Sequence, residues 1–155
     1  MKQYIGTKLI EAEPAYRCTD GSGKVVITTR PEEAFPNYPS IEDGYRVRYP
    51  DGYVSWSPKA VFEEAYRPTT GMSFGLAIEA AKKGHRISRA GWNGKGQYVE
   101  IAAGISYVGP DGEIVNAEHD AIGNRALAFV GTSGVQMGWL ASQADMLADD
   151  WTIVS

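Results

Sequence analysis

The sequence predicts an α+β protein with a mostly antiparallel sheet, one long helix and two short ones. Three observations carry this. Residues 44–56 alternate aromatic or aliphatic with charged side chains on either side of Pro50-Asp51-Gly52. Residues 74–83 form an unbroken run of helix formers between Ser73 and Gly84. The remainder of the second half holds short β-forming stretches punctuated by glycine turns. Period-2 alternation, a capped helical run and turn chemistry at short intervals describe strands joined mainly by hairpins.

In chain order, residues 3–11 carry β-formers and read as a strand. Residues 12–43 hold Pro14, Pro31, Pro36 and Pro39 and read as loop with only short structure. Tyr45, Val47 and Tyr49 then alternate with Arg46 and Arg48, the Pro50-Asp51-Gly52 turn reverses the chain, and residues 53–56 return as the second strand of a hairpin. Ser57 is expected to cap a helix opened by Pro58 and running to about Tyr66, with Val61, Phe62 and Ala65 as its apolar stripe. The long helix covers residues 74–83, with Ser73 as N-cap and Gly84 as the left-handed residue that ends it. Strands follow at 85–88 and 97–102 around a turn at 91–96. A hairpin at 105–108 and 113–115 turns on Pro110-Asp111-Gly112, and a further pair at 126–130 and 135–139 flanks Gly131 to Gly134. Ser142-Gln143-Ala144-Asp145 has the form of a capping box with Asp in place of Glu, so a short helix over 143–148 is expected before a last strand at 151–154.

Of 18 glycines, 13 follow Thr70, and of 8 prolines, 7 precede it. The composition shifts at Arg67-Pro68-Thr69-Thr70-Gly71, which places a boundary between an accessory hairpin-and-helix module, residues 1–70, and a second module, residues 71–155. A hydrophobic fraction of 43% with 22% charged residues is that of a globular chain. No apolar run approaches the ~20 residues that span a bilayer, and the first residues lack a secretory signal pattern, so a cytoplasmic protein without membrane attachment is expected. The formal charge of −4, with no Lys/Arg cluster, argues against binding to DNA or RNA. A single cysteine, Cys18, excludes an internal disulfide and reads as a loop thiol. His85 and His119 have no partner at metal-ligand spacing, so neither a metal nor another cofactor is expected. Asp149-Asp150 is read as structural.

Two segments carry candidate chemistry. Residues 91–96 gather Trp92, Asn93, Gly94 and Lys95 with unhindered backbone N–H groups, just after Arg89. The segment is neither a Walker A loop nor a dinucleotide fingerprint, because its spacing and its strand–strand context are both wrong. By itself it reads first as a hairpin turn with Trp92 in the core, and second as a platform that stacks a base and holds a phosphate. Trp139, with Ser142, Gln143 and Asp145 just beyond it, sets a second indole before a helix start whose N–H groups favour anions. Two indoles flanking polar donors suit a ligand with flat bases and phosphates. No nucleophile–base pair accompanies them, which favours binding without turnover.

Met72-Ser-Phe-Gly-Leu-Ala-Ile-Glu-Ala-Ala-Lys-Lys-Gly84, Arg89-Ala-Gly-Trp-Asn-Gly-Lys-Gly96 and Trp139-Leu-Ala-Ser-Gln-Ala-Asp-Met-Leu-Ala-Asp-Asp-Trp151 together resemble the short phage proteins of the second Thoeris anti-defence family. The resemblance implies a non-enzymatic sponge acting in the cytoplasm of the infected bacterial host. It implies a homotetramer that sequesters the cyclised ADP-ribose signal made by TIR immune proteins, in pockets between subunits where aromatic residues grip the adenine. Cyclic dinucleotides are a second ligand class. On this reading Trp92 and Trp139 stack on bases, Asn93, Ser142 and Gln143 bond ribose or phosphate, and the backbone from Gly94 to Gly96 approaches closely. Lys95 and Arg89 neutralise phosphate, and Asp145 caps its helix or holds a ribose hydroxyl. Residues 1–70 are an addition to the usual family length, and residues 104–134 are longer than in compact members. Two rivals stand beside this reading. One is an interaction module using the tyrosines of residues 45–53 and Trp56 to block a host protein. The other is an enzyme that destroys the same signal, for which the sequence offers no catalytic set.

Overall fold

The computed structural model describes residues 1–34, 38–92 and 96–154. The chain divides into two compact units, Met1–Arg67 and Pro68–Ser155. Both are built on antiparallel sheets, and no helix among the described residues is long and apolar enough to cross a membrane.

The first unit is a four-stranded sheet. Strand β1 (Glu11–Thr19) is followed by β2 (Val25–Thr28), a one-turn helix α1 (Pro31–Ala34), β3 (Ser40–Arg48), β4 (Val54–Pro58) and helix α2 (Lys59–Ala65), with sheet order β2-β1-β3-β4. The first expected strand is displaced. Residues 3–10 have no regular structure, and the strand occupies Glu11–Thr19, sharing only Glu11 with the expected strand and otherwise lying in the stretch expected to be loop. Three of the four prolines misled because they sit where a proline is tolerated, and Pro36 lies outside the described residues. Pro14 lies on the part of β1 that β2 does not reach, since β2 pairs only with Tyr16 to Thr19. Pro31 opens α1, and Pro39 immediately precedes β3. Asp20 turns the chain from β1 to β2 by accepting, through Oδ1, the N–H groups of Ser22 and Lys24, each at 2.9 Å.

The β3–β4 hairpin forms as expected, with Arg46 opposite Trp56 and Arg48 opposite Val54. Trp56 lies across the sheet and donates its indole N–H to the Ala15 carbonyl at 2.9 Å. Position 44 must be glycine here, because a Cβ would collide with the Trp56 ring and the Ser57 carbonyl. Ser57 belongs to β4 and does not cap α2. The N-cap position is held by Pro58 with no side-chain cap, and the helix opens at Lys59. Phe62 stacks between Tyr45 (4.2 Å) and Tyr66 (5.0 Å), whereas Val61 remains exposed. Cys18 is a buried β1 residue rather than a loop thiol. Of the buried apolar residues of this unit, Cys18 and Val47 lie on one face of the sheet and Ala15 on the other.

The second unit has helix α3 (Phe74–Lys82), strands β5 (Arg86–Arg89) and β6 (Tyr98–Ala103), the small hairpin β7 (Tyr107–Val108) and β8 (Ile114–Val115), strands β9 (Arg125–Gly131) and β10 (Gly134–Met137), helix α4 (Gln143–Met146) and strand β11 (Trp151–Val154). Its main sheet has the order β10-β9-β6-β5-β11. The Leu76 N–H donates to Ser73 Oγ at 3.3 Å, and Gly84 takes φ +93°, so both expected ends of α3 are in place. The helix buries Ala77, Ala80 and Ala81, whose small side chains bring it close to Ile87, Val99, Met72 and Trp151. Backbone bonds in both directions between Met72 and Trp151, at 2.7 and 3.1 Å, fasten the start of this unit to its last strand. Four helices are present among the described residues, two of them of seven residues or more, so α1 and the lengths of α2 and α4 depart from one long and two short helices.

Candidate functional site

Four aromatic side chains from four separate segments of the second unit meet against its hydrophobic core. Trp151 opens β11 and is fully buried. Trp92 follows β5 and is held there by its backbone N–H, which donates to the Arg89 carbonyl at 3.2 Å. Trp139 follows β10, where Gly138 at φ +71° redirects the chain and the Trp139 N–H donates to the Leu127 carbonyl at 2.9 Å. Phe129 comes from β9. Trp92 lies 5.3 Å from Phe129, 5.4 Å from Trp151 and 5.8 Å from Trp139 between ring centroids, each time edge to face. Phe129 and Trp139 lie nearly parallel at 6.3 Å. Such geometries match the ring quadrupoles and fix the rings against each other. Trp92 and Trp139 are half-buried and pack against the core, so they form its rim. Leu140 and Leu147, 88% and 78% exposed, continue the apolar surface in sequence on either side of α4.

Polar side chains are fitted tightly beside these rings. Ser142 and Asp145 make the expected capping box. The Asp145 N–H donates to Ser142 Oγ at 3.1 Å, while Asp145 Oδ2 accepts the Ser142 N–H at 3.1 Å and its hydroxyl at 2.8 Å. The other Asp145 oxygen accepts from Arg89 Nη1 at 2.9 Å, and Asp150 accepts from Arg89 Nε at 2.9 Å and Nη2 at 3.4 Å. The Asp145 carbonyl accepts the Trp151 indole N–H at 2.8 Å. Burial pushes the Asp145 carboxyl up, but the bonds from Arg89 and Ser142 outweigh it and hold it below the ordinary carboxylate value. Asp150 is held down chiefly by its bonds from Arg89, and the Arg89 guanidinium is pushed up by Asp150 and then Asp145.

Of the residues expected from the sequence, the structure brings together Trp92 with Trp139, and Arg89 with Asp145 and Ser142. The Ser142 hydroxyl and N–H are both engaged by Asp145, and the Arg89 side chain is engaged by two carboxylates. Gln143 is the exposed first residue of a one-turn helix. Asn93, Gly94 and Lys95 lie outside the described residues. Sequence reasoning read Trp151 only as a strand residue and did not connect Phe129 to the site. The signal that was available is the Asp150-Trp151 pair, one residue of which meets Arg89 and the other the indoles. Among the described residues no three His, Cys, Asp or Glu side chains cluster as a metal site. A groove of about 440 Å³ lies elsewhere, over Glu11, Ala12, Glu13, Arg46, Arg48 and Val54 of the first unit, where arginine and glutamate neutralise each other.

Residues 72–154 match the family model described as the Thoeris anti-defense 2-like domain. The curated protein Thoeris anti-defense 2 of Bacillus phage SP01 is 36% identical over 91 residues, a stretch that covers 56% of this chain and 98% of the phage protein. The matched family region lies within the second unit and includes every member of the aromatic cluster.

Proposed function

The chain belongs to the Thoeris anti-defense 2-like family through residues 72–154, and on that premise we propose that it is a phage anti-defence protein that captures a cyclic nucleotide immune signal and withholds it unaltered. The signal is cyclised ADP-ribose made by TIR proteins, with cyclic dinucleotides as the second class, and the protein works as a homotetramer inside the infected host. The observation that carries this reading is the half-buried pair Trp92 and Trp139 on a rigid aromatic base. Each base stacked on such a ring is worth about 1–3 kcal/mol. Rings already fixed by their neighbours lose little freedom on binding, which favours slow release.

The interaction-module reading draws less support. Trp56 is spent on Gly44 and the Ala15 carbonyl, and the Tyr45 hydroxyl donates to Glu63 at 2.8 Å while its ring stacks on Phe62. A thermal-shift series on the full chain tests the proposal, because a ligand that binds only the native state raises its melting temperature. Cyclised ADP-ribose is expected to raise it strongly and linear ADP-ribose weakly. Equal shifts from both, or none from either, would reject the proposal.

A further inference from the structure

Arg89 was expected to neutralise a ligand phosphate, and its surroundings argue otherwise. The side chain is only 22% exposed, and Asp145 is 16% exposed. Three of the guanidinium N–H groups point at carboxylate oxygens 2.9, 2.9 and 3.4 Å away. One cation against two ionised carboxylates leaves this cluster with a net charge of about −1, which repels a phosphate rather than attracting it. The same residues are linked to the three tryptophans in different ways: by a bond to the Trp151 indole, by a backbone bond to Trp92, and to Trp139 only through the capped turn that follows it. The Arg89 carbonyl accepts the Trp92 N–H. The Arg89 guanidinium fixes Asp145, whose carbonyl holds the Trp151 indole. The Asp145 carboxylate closes the cap of the turn that begins three residues after Trp139. Asp150 directly precedes Trp151, and its carbonyl accepts the Ala90 N–H at 3.1 Å.

We infer that Arg89, with Asp145 and Asp150, is a positioning residue that locks Trp92, Trp139 and Trp151 in register and does not contact the ligand. This rests on the capture function proposed above for its effect on binding, but its effect on the indoles stands apart from that reading. The planar fork matters because its donors, fixed on two edges, hold the two carboxylates at set positions and angles.

The test uses the full chain and two readouts, calorimetric affinity for cyclised ADP-ribose and the exciton band that close tryptophan pairs give in circular dichroism. Asp150→Asn is expected to diminish the band and to weaken affinity by about 10-fold to 100-fold, the scale of cost for misplacing groups at a site by an ångström. Asp150→Glu, which returns a carboxylate to the guanidinium, is expected to restore most of both. A purely structural contribution would lower the melting temperature in both variants and move neither readout below it, which would overturn the inference. Arg89→Met with an intact band and abolished affinity would show direct contact with the ligand and overturn it as well. A wild-type chain that binds no cyclised ADP-ribose would reject the capture function alone. The band in Asp150→Asn then still decides, its loss supporting the lock and its persistence refuting it.

Discussion

In the first unit, β1 and β3 are joined across one face by Glu11–Arg48, Glu13–Arg46 and Arg17–Glu42, all at least two-fifths exposed, while Cys18 and Val47 are buried on the opposite face. In the second unit, the sheet buries Ile87, Val99 and Trp151 beneath an alanine-faced helix, and its ion pairs at Arg89 are drawn in against the aromatic cluster. Exposed pairs contribute roughly 0–1 kcal/mol each, whereas each fully buried large side chain contributes about 1.5–3 kcal/mol. The contrast teaches where precision has been placed. One unit is laced together at its surface, and the other fixes the position of individual rings.

The strongest way to break this contrast is Trp151→Ala, which removes the centre of the second unit. It is expected to cost about 3–5 kcal/mol in denaturant unfolding and to abolish capture. Trp92→Ala and Trp139→Ala come next. Each is expected to leave a folded protein and to weaken binding of cyclised ADP-ribose by about 1–3 kcal/mol, read by calorimetry. Unchanged affinity in both would assign the indoles to the core alone.

Replacing Arg89 with Met should then cost on the order of 1.5–3 kcal/mol of stability at neutral pH. The sign with pH follows from the lowered carboxylates. The contribution of Asp145 and Asp150 is fully present above their unfolded pKa near 3.9 and is lost as pH falls through their lower folded values. Melting curves of wild type and Arg89→Met should therefore be fully separated above about pH 4 and draw together as pH falls from there through the lower folded values. By contrast Glu13→Gln, at the surface of the first unit, is expected to change stability by no more than about 1 kcal/mol, an effect erased by added salt. Smallest of all is removal of residues 1–67. A chain beginning at Pro68 keeps the Ile153 N–H bond to the Thr69 carbonyl at 2.8 Å, and its affinity should remain within about threefold of the full chain, a difference of under 1 kcal/mol. Loss of binding in a folded truncation would place part of the pocket in the first unit.

What the sequence disclosed was mostly local. Ser73 and Gly84 bracket α3, Asp145 reaches back to Ser142 three residues away, and Pro50-Asp51-Gly52 and Pro110-Asp111-Gly112 turn their hairpins, because caps and turns depend on neighbours in the chain. Pairing between distant segments was not legible. β1 carries a proline and looks like loop until its one-sided pairing at Pro14 is seen. Arg89 meets Asp145 and Asp150 at separations of 56 and 61 residues, so its charge reads as free in the sequence and is engaged in the fold. Trp92 and Trp139 were found as candidates from the donors beside them, yet only the tertiary structure joins them to Trp151 and Phe129.

The central claim, capture without turnover, is met most directly by a release experiment. The full chain is mixed with a slight excess of binding sites over cyclised ADP-ribose, the free fraction is removed by filtration, and the retained protein is heat-denatured and its supernatant analysed by mass spectrometry. The filtrate is expected to be depleted of the nucleotide, and the heated fraction to return it chemically intact and in full. A nucleotide that passes into the filtrate unbound, or that returns hydrolysed or rearranged, would contradict it.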